Sequence, residues 1–461
     1  MKSVHAVLLT IISAVSFMLT WPATAVANDR SETSHPTPTF NRDIAPIIHD
    51  KCMVCHRDGE VAPFPLTNYS QVKRRARQIA LVTRRRYMPP WKPTAPHDAF
   101  ADDRSLTDTQ IALLQSWVDA GRPEGDPDDR QPPPTFPAGW RYGDPDIILE
   151  LPYEFEIPAE GPDIYVHFVF PTELKTKKYI RAVQVRPSNL SAAHHGVVLL
   201  DGSGKARKQA IKQREPSGGK KTRHYYNFGD PGFLPRGFLP GFAPGLYPPP
   251  RDLSDPDGVG ITLKPNLDIV LQMHYHPTGR IEKDRPRIGL YFTDVPPQRG
   301  PMAVMMANNQ IDIPPGESRF QRTDSFKLPV DFEVRDIWGH MHIIGQRLEA
   351  WAILPDDSRR ELIRIDDWDF NWQDTYRYKQ PFDLPAGTTI HARWTWDNSD
   401  ANPRNPFSPP QRIRFGPNSD DEMTGLIIGG IPKRRGWAEA KLFTAVLMHY
   451  LKIKREEAAA K

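Results

Sequence analysis

The segment Cys52-Met53-Val54-Cys55-His56 indicates which group the first third of this chain folds around. It contains the only two cysteines among 461 residues, so no cysteine remains for a disulfide. Two thiols in C-x-x-C spacing can add to the two vinyl groups of one haem, and the adjacent histidine can then bind the iron. A redox dithiol normally lies in a βαβ setting, and a zinc site made of cysteines needs a second pair. The motif therefore predicts a covalent c-type haem and a protein that handles electrons.

The residues around this motif have a helical pattern. Tyr69 to Tyr87 forms a basic helical stretch, and Ser105 to Asp108 indicates the cap of another helix that ends at Gly121. We predict a small all-α cytochrome c-like domain over residues 38–128. A proline-rich linker over residues 129–139 follows, and we expect it to leave the orientation of this domain open.

The sixth position of the haem iron has two candidate ligands. Electron-transfer cytochromes commonly use a methionine thioether, and Met88, in Tyr87-Met88-Pro89-Pro90-Trp91, is the best candidate. The two prolines hold the chain extended there, and the tryptophan can cover the haem. His97 is the alternative ligand, and a purely structural role for Met88 in the core also stays open.

The N-terminus indicates export. Lys2 precedes a mostly apolar run from Val7 to Trp21, and Ala25-Val26-Ala27 offers the small residues of a cleavage site. We predict a signal peptide over residues 1–27 and a periplasmic or secreted mature protein with no stable membrane span. A retained membrane anchor is the alternative, but the run is short and contains polar residues. The formal net charge of +4 at pH 7 is too mild to indicate a nucleic-acid partner.

Beyond the linker the pattern changes to short β-like runs separated by glycine and proline turns, in a chain with 49 prolines. This spacing predicts two β-sandwich domains, over residues 140–320 and 321–461, with a terminal helix from Trp437 to Lys454. We expect Gly229 to Pro250 to be a long irregular loop. The predicted strands are Ile147–Leu151, Tyr179–Val185, Gly196–Leu200, Leu267–Tyr275, Ile288–Phe292, Phe326–Leu328, Val334–Trp338, Arg347–Leu354, Thr388–Trp396 and Gly425–Gly429.

Histidines cluster near the ends of these predicted strands. His340 and His342 lie two residues apart, so on a strand their side chains share a face and can bind one metal together. His194 and His195 are adjacent and point to opposite faces of a regular strand. They can share a metal only if the strand is distorted there or if they use different ring nitrogens. A surface or core histidine would explain any one of these clusters alone, but not their recurrence.

Four segments resemble, in the same order, those of the copper type II (ascorbate-dependent) monooxygenases, the family of peptidylglycine α-hydroxylating monooxygenase and dopamine β-monooxygenase. The match covers roughly residues 140–430. The segments are Ala193-His194-His195, Val270-Leu271-Gln272-Met273-His274-Tyr275, Trp338-Gly339-His340-Met341-His342-Ile343-Ile344-Gly345 and Ser419-Asp420-Asp421-Glu422-Met423.

The resemblance implies two jelly-roll sandwiches, each with one copper, that face each other across a solvent cleft. It assigns the electron-transfer copper to His194, His195 and His274. It assigns the oxygen-activating copper to His340, His342 and Met423. The ligand types agree with these roles, because three imidazoles tolerate both copper oxidation states, whereas a thioether favours Cu(I). The resemblance also gives Gln272 an orienting role, and His276 is an added histidine that can replace or supplement His274.

The sequence departs from the family where the peptide-processing enzyme binds its substrate. Trp338 stands where that enzyme has an arginine for a substrate carboxylate, and Ile427 stands where it has a tyrosine. The disulfides of the animal enzymes cannot form here either. We therefore expect a small apolar or aromatic substrate instead of a peptide C-terminus.

These observations predict an exported copper-dependent monooxygenase that hydroxylates a C–H bond with dioxygen. We expect electrons to come from a redox donor protein or a quinol-linked source through the haem, and to reach the His194/His195/His274 copper first. One alternative is a non-catalytic haem and copper redox or copper-handling protein. Another is a hydrolytic zinc site at the three histidines, against which Met423 argues because a thioether suits zinc poorly.

Overall fold

The computed structural model describes residues 36–137, 139–213, 223–227, 231–243 and 258–459. Residues from Pro38 onward belong to one compact unit that is mostly β-structure arranged in several sheets. The signal peptide predicted over residues 1–27 lies outside the described residues. None of the described helices is both long and apolar enough to cross a membrane.

The first part of the chain is helical, as the sequence predicts. Its helices are α1 Ala45–Lys51, α2 Tyr69–Arg84 and α3 Asp108–Asp119, with a short π-helix at Phe40–Ile44 and a 3-10 turn at Pro127–Asp129. Helix α3 begins with a capping box: the Thr107 hydroxyl accepts from the backbone N–H of Gln110, and the Gln110 side chain accepts from the backbone N–H of Thr107. Gly121 follows with a φ of 86°, the left-handed conformation that ends many helices. A buried core that includes Ile44, Val72 and Trp117 holds these helices together.

The helical region is neither purely helical nor loosely tethered. Strand β1 (Pro93–Ala95) joins the edge of a sheet in the second sandwich, and Phe100 is buried in that sandwich's core. A proline lacks the N–H that a central strand needs, so an edge position suits this strand. The linker's Phe136 also packs against Arg57 of the helical region. The expectation that the linker leaves the orientation open is therefore wrong.

The first sandwich encloses one hydrophobic core between a five-stranded and a four-stranded antiparallel sheet. Its strands are β2 Ile147–Glu150, β3 Phe155–Ile157, β4 Ile164–Pro171, β5 Lys178–Arg186, β6 Ala193–Asp201, β7 His224–Tyr226, β8 Phe238–Phe242, β9 Ile261–Leu263, β10 Asp268–Tyr275, β11 Glu282–Asp284 and β12 Arg287–Thr293. The sheet orders are β7-β4-β10-β6-β8 and β2-β12-β5-β9, with β3 and β11 forming a separate ribbon. Helix α4 (Lys205–Lys212) follows β6.

The second sandwich repeats this plan around its own core. Its strands are β13 Met302–Met306, β14 Asp312–Ile313, β15 Phe320–Lys327, β16 Phe332–His340, β17 Gly345–Ile353, β18 Arg359–Ile365, β19 Thr375–Leu384, β20 Thr389–Trp396, β21 Ile413–Arg414 and β22 Gly425–Pro432. The sheet orders are β1-β18-β17-β20-β15 and β13-β22-β16-β19, and β14 pairs with β21. The terminal helix α5 spans Trp437–Ala459 and buries Leu442 against this core, as its apolar stripe predicts.

Strand β8 lies inside the stretch that the sequence predicts to be an irregular loop. It pairs with β6, although the rest of that stretch is only partly described. Gly241 makes the pairing possible, because a Cβ built there would lie 2.1 Å from the carbonyl oxygen of Gly196. The glycines and prolines that indicate a loop here instead allow close approach of two backbones.

Candidate metal centres

A β-bulge resolves the problem of the adjacent histidines. His195 on β6 pairs with His274 on β10, but the next pair joins Ala193 to Tyr275, so His194 is an inserted residue. A bulge rotates the inserted residue out of the normal alternation. Both rings can therefore turn to the same side, which is the distortion that a shared metal requires.

The Nδ1 atoms of the three rings converge on one point. The Nδ1 atom of His194 lies 3.1 Å from that of His195 and 3.2 Å from that of His274, and the third separation is 3.4 Å. Three nitrogens placed about 2.0–2.1 Å from one ion in tetrahedral geometry are about 3.3–3.4 Å apart. Among the described residues this is the one group of His, Cys, Asp or Glu side chains with such spacing. The donors therefore fit a first-row metal ion.

Two rings of this first site, those of His194 and His195, are held neutral. Burial, reinforced by the neighbouring His274, lowers the pKa of His194 to about 3, and burial lowers the pKa of His195 well below its ordinary value. Neutral imidazoles keep the lone pair that a metal needs.

Asp163 supports the first site from behind. Its Oδ2 lies 3.0 Å from Nε2 of His274, and its Oδ1 accepts a hydrogen bond of 2.7 Å from Nδ1 of His276. Burial alone raises the pKa of Asp163, but its interactions with His274, Ser419 and His276 together hold that pKa below its ordinary value. His276 is 70% exposed and is not part of the triad, so it neither replaces nor joins His274 as a candidate ligand.

We expect Asp163→Asn to weaken metal binding at the first site about 10–100-fold, as loss of a supporting carboxylate does at other metal sites. The amide keeps the size of the side chain but removes the charge that faces Nε2 of His274. Titration of copper against a chromophoric chelator measures the change. A matched control is His276→Gln, which alters the exposed partner of the same carboxylate and should leave the affinity nearly unchanged. Equal losses in both variants would show that the contact with His274 is unimportant.

The second site lies where β16 ends. Nδ1 of His340 donates to Oε1 of Gln373, and Nδ1 of His342 donates to the carbonyl oxygen of Asp421 at 3.2 Å. With Nδ1 protonated, the lone pair of each ring is on Nε2, and the ring centroids are 5.0 Å apart. Burial lowers the pKa of His340 to about 4, so this ring also stays neutral. The two histidines fit a shared metal through Nε2.

Glu422 holds the turn that carries His342. Its buried carboxyl group accepts hydrogen bonds from the backbone N–H of His342 and Ile344, both at 2.9 Å, and from the indole of Trp396 at 2.8 Å. Burial raises the pKa of Glu422 to about 8, although these donors partly oppose that rise. Glu422 belongs to the Ser419–Met423 segment, but nothing in the pattern of the sequence indicates that its carboxyl group holds this turn.

Met423 lies in the same corner of the sandwich. Strand β22 begins with Gly425 directly opposite His340, and Met423 is two residues before that glycine. It follows Asp421, whose carbonyl oxygen bonds His342. The backbone therefore places the candidate thioether ligand next to the histidine pair.

The two histidine sites are adjacent. The ring of Phe370 stacks on His194 with centroids 4.7 Å apart and meets the ring of His342 edge-on at 5.7 Å. A second link crosses between the sandwiches, because the Ser419 hydroxyl donates to the carboxylate of Asp163. A phenyl ring thus occupies the space between the sites, where the family resemblance implies a solvent cleft. Nothing in the pattern of the sequence identifies Phe370, Gln373 or Asp163, since their positions depend on the packing of two sandwiches.

An apolar shelf borders the second site. Trp338 lies opposite Ile427 across the sheet, and Met305 lies opposite Ile427 on its other side. The tryptophan ring stacks on His340 with an interplanar angle of 10°. All three side chains of the shelf are partly exposed. The two positions at which the sequence departs from the peptide-processing enzyme are thus direct neighbours.

Gln272 does not reach the first site. Its amide nitrogen lies 2.8 Å from Nε2 of His167, a fully buried ring that stacks on Tyr225. The amide of Gln272 therefore contacts a core histidine on β4 instead of a ring of the triad.

The Cys52–His56 segment offers the donors that the predicted haem would need. Both cysteines are free thiols, and Nδ1 of His56 lies 3.0 Å from the carbonyl oxygen of Phe64. A proton donated along that bond leaves Nε2 available to bind iron. Met88 is partly buried, whereas His97 is exposed beside Asp98. The residues fit a covalent haem with His56 as its proximal ligand.

No protein-family model matches this chain, and no curated protein matches it in sequence. Among solved structures, the major capsid protein P2 of bacteriophage PM2 aligns over 63% of this chain and 99% of its own, with 11% identity and a TM-score of 0.24. Peptide N-glycanase F aligns over 62% of this chain and 96% of its own, with 9% identity and a TM-score of 0.25. Likenesses this weak do not bear on fold or function. The interpretation of the site rests on this chain's own residues.

Proposed function

We propose that this protein is an exported, copper-dependent monooxygenase of the copper type II kind, with two jelly-roll sandwiches and a cytochrome c-like haem domain. The observation that supports it most is the pairing of two unlike histidine sites. Three Nδ1 atoms converge at one site, and at the other the rings of His340 and His342 are hydrogen-bonded through Nδ1, with Met423 two residues before the partner of His340 in the sheet. Unlike donor sets on neighbouring sites suit unlike roles for the same metal.

The residues of the second site would hold an ion that activates dioxygen for insertion into a C–H bond. Gln373 and the carbonyl of Asp421 fix the tautomers of His340 and His342, so that Nε2 of each ring is the donor. The shelf of Trp338, Ile427 and Met305 offers apolar surface to a small substrate beside His340. An apolar wall both binds such a substrate and excludes water from the reacting bond.

The first site would store one electron. Its three imidazoles suit both oxidation states of copper, and the Asp163 carboxylate behind His274 would offset positive charge on a bound ion. Phe370 contacts both sites, so the space between them is not filled by water alone. Cys52, Cys55 and His56 would hold the haem, and Met88 is the candidate thioether ligand of its iron. Such a group would supply electron transfer from a donor protein or a quinol-linked source.

A hydrolytic zinc site and a copper carrier are the alternatives that an experiment must separate. Protein matured in a host that attaches haem is loaded with copper and incubated with apolar and aromatic substrates under isotopically labelled dioxygen, with ascorbate or a quinol added to supply the two electrons that each hydroxylation consumes. We expect oxygen consumption that depends on substrate, and label in a hydroxylated product. His340→Ala should abolish both. Hydrolysis of ester substrates by the zinc-loaded protein would instead support the hydrolase, and tight copper binding without oxygen consumption would support a carrier.

A further inference from the structure

One loop contacts the helical region and both histidine sites. It joins β18 to β19 and consists of residues 366–374, which we call the bridging loop. The buried Trp368 anchors the bridging loop against Gly345. The indole packs so closely that a Cβ built on Gly345 would lie 2.6 Å from its Cδ1 atom. Gly345 is the last residue of the H-x-H-x-x-G segment, so the loop is packed directly on the chain that carries His340 and His342.

The outer side of the bridging loop is acidic and faces cations of the helical region. Lys92, which is buried, pairs with Asp367 at 3.0 Å and with Asp369 at 3.5 Å. Arg104 pairs with Asp374, and both side chains are largely buried. Arg104 also lies close enough to the haem motif to lower the pKa of the Cys55 thiol, although burial raises that pKa overall. These pairs attach the loop to the segment that follows the haem motif.

The inner side of the bridging loop supports the histidines. Gln373 accepts from Nδ1 of His340 and donates through its own amide to the carbonyl oxygen of Phe370 at 2.8 Å. Phe370 in turn stacks on His194. Asp374 is the next residue after Gln373, so the ion pair with Arg104 is one peptide unit from the group that orients His340.

We propose that the bridging loop is a positioning element through which the docked helical region sets the geometry of the His340/His342 site. Arg104 fixes Asp374, Asp374 fixes the backbone of Gln373, and Gln373 fixes the ring of His340. Gln373 and Arg104 are positioning residues, since neither touches the metal or the substrate. This inference rests on the proposed function only in that the His340/His342 site binds copper, and it does not depend on which substrate is oxidised.

The test uses the full-length protein with a His274→Ala background, which leaves the second site as the copper site to be measured. The variant Arg104→Gln with Asp374→Asn removes both charges of the pair, so that neither is left buried alone. We expect Cu(II) affinity at the His340/His342 site to fall about tenfold, with a changed copper hyperfine splitting in the EPR spectrum.

Gln373→Leu should reproduce this loss, and combining the two changes should add little, because they act along one path. Gln373→Glu, which keeps the acceptor, should retain binding.

The matched control removes another ion pair between the helical region and the same sandwich. Arg377→Gln with Asp102→Asn breaks an exposed pair of 2.6 Å that does not involve the bridging loop. Copper affinity should then stay within about twofold of the starting protein, since exposed pairs contribute little. Equal losses in the test and control variants, additive losses with Gln373→Leu, or no change at all would overturn the inference. A starting protein that binds no copper at this site would overturn the proposed function as well.

Discussion

Replacing Cys52 and Cys55 together by serine should yield a protein with no covalently bound haem. Each thioether bond needs a thiol, and the chain has no other cysteine to substitute. The two β cores should remain folded, because neither contains a cysteine. Haem that stays with the polypeptide through acid–acetone extraction measures covalent attachment, and far-UV circular dichroism measures the retained β-structure.

The matched variants separate attachment from iron coordination. Met88→Ala should keep the covalent haem but remove the absorption band that a thioether bound to ferric iron produces, whereas His97→Ala should leave that band intact. Haem that survives extraction of the double cysteine variant would refute the attachment assignment. A starting protein that lacks this band, and whose low-spin haem becomes high-spin in His97→Ala but not in Met88→Ala, would make His97 the sixth ligand.

The second prediction concerns the independence of the two copper sites. His274→Ala removes one of the three converging Nδ1 donors and should reduce bound copper from two ions per chain to one. Met423→Ala should preserve the first copper and selectively weaken Cu(I) at the second, since a thioether is a soft ligand that favours that state. Elemental analysis gives the stoichiometry, and competition with a Cu(I)-specific chelator gives the affinity.

The control for both variants is competition with zinc. The starting protein should retain copper in preference to zinc, because zinc lies below copper in affinity for such donors and gains little from a thioether. If Met423→Ala leaves the Cu(I) affinity of the second site unchanged, the thioether is not a ligand. If zinc displaces copper from the first site, the hydrolytic alternative gains support.

Local pattern accounts for most of the secondary structure. The helix ending at Gly121 and the ten strands expected in the β region are all present, because caps, turn residues and short apolar runs act within a few residues. The resemblance of four sequence segments also grouped His194, His195 and His274. Because His194 and His195 are adjacent, they could share a metal only if the strand is distorted or if they use different ring nitrogens. The bulge on β6 satisfies that condition. Strand β4 is not among the expected strands, because both faces of its centre, including His167, are buried and so show no alternation of apolar and polar residues.

What the sequence alone determined is the chemistry that is available: two thiols beside a histidine, and six imidazole and thioether donors in a fixed order. Tertiary structure alone decided how close these groups lie. Phe370 and Asp163 are far from the histidine motifs in sequence, yet they contact the histidines or connect the two sites. The docking of the helical region on the second sandwich likewise depends on a strand pair between residues about 270 positions apart. Such contacts arise from the packing of separate hydrophobic cores, and no local periodicity records them.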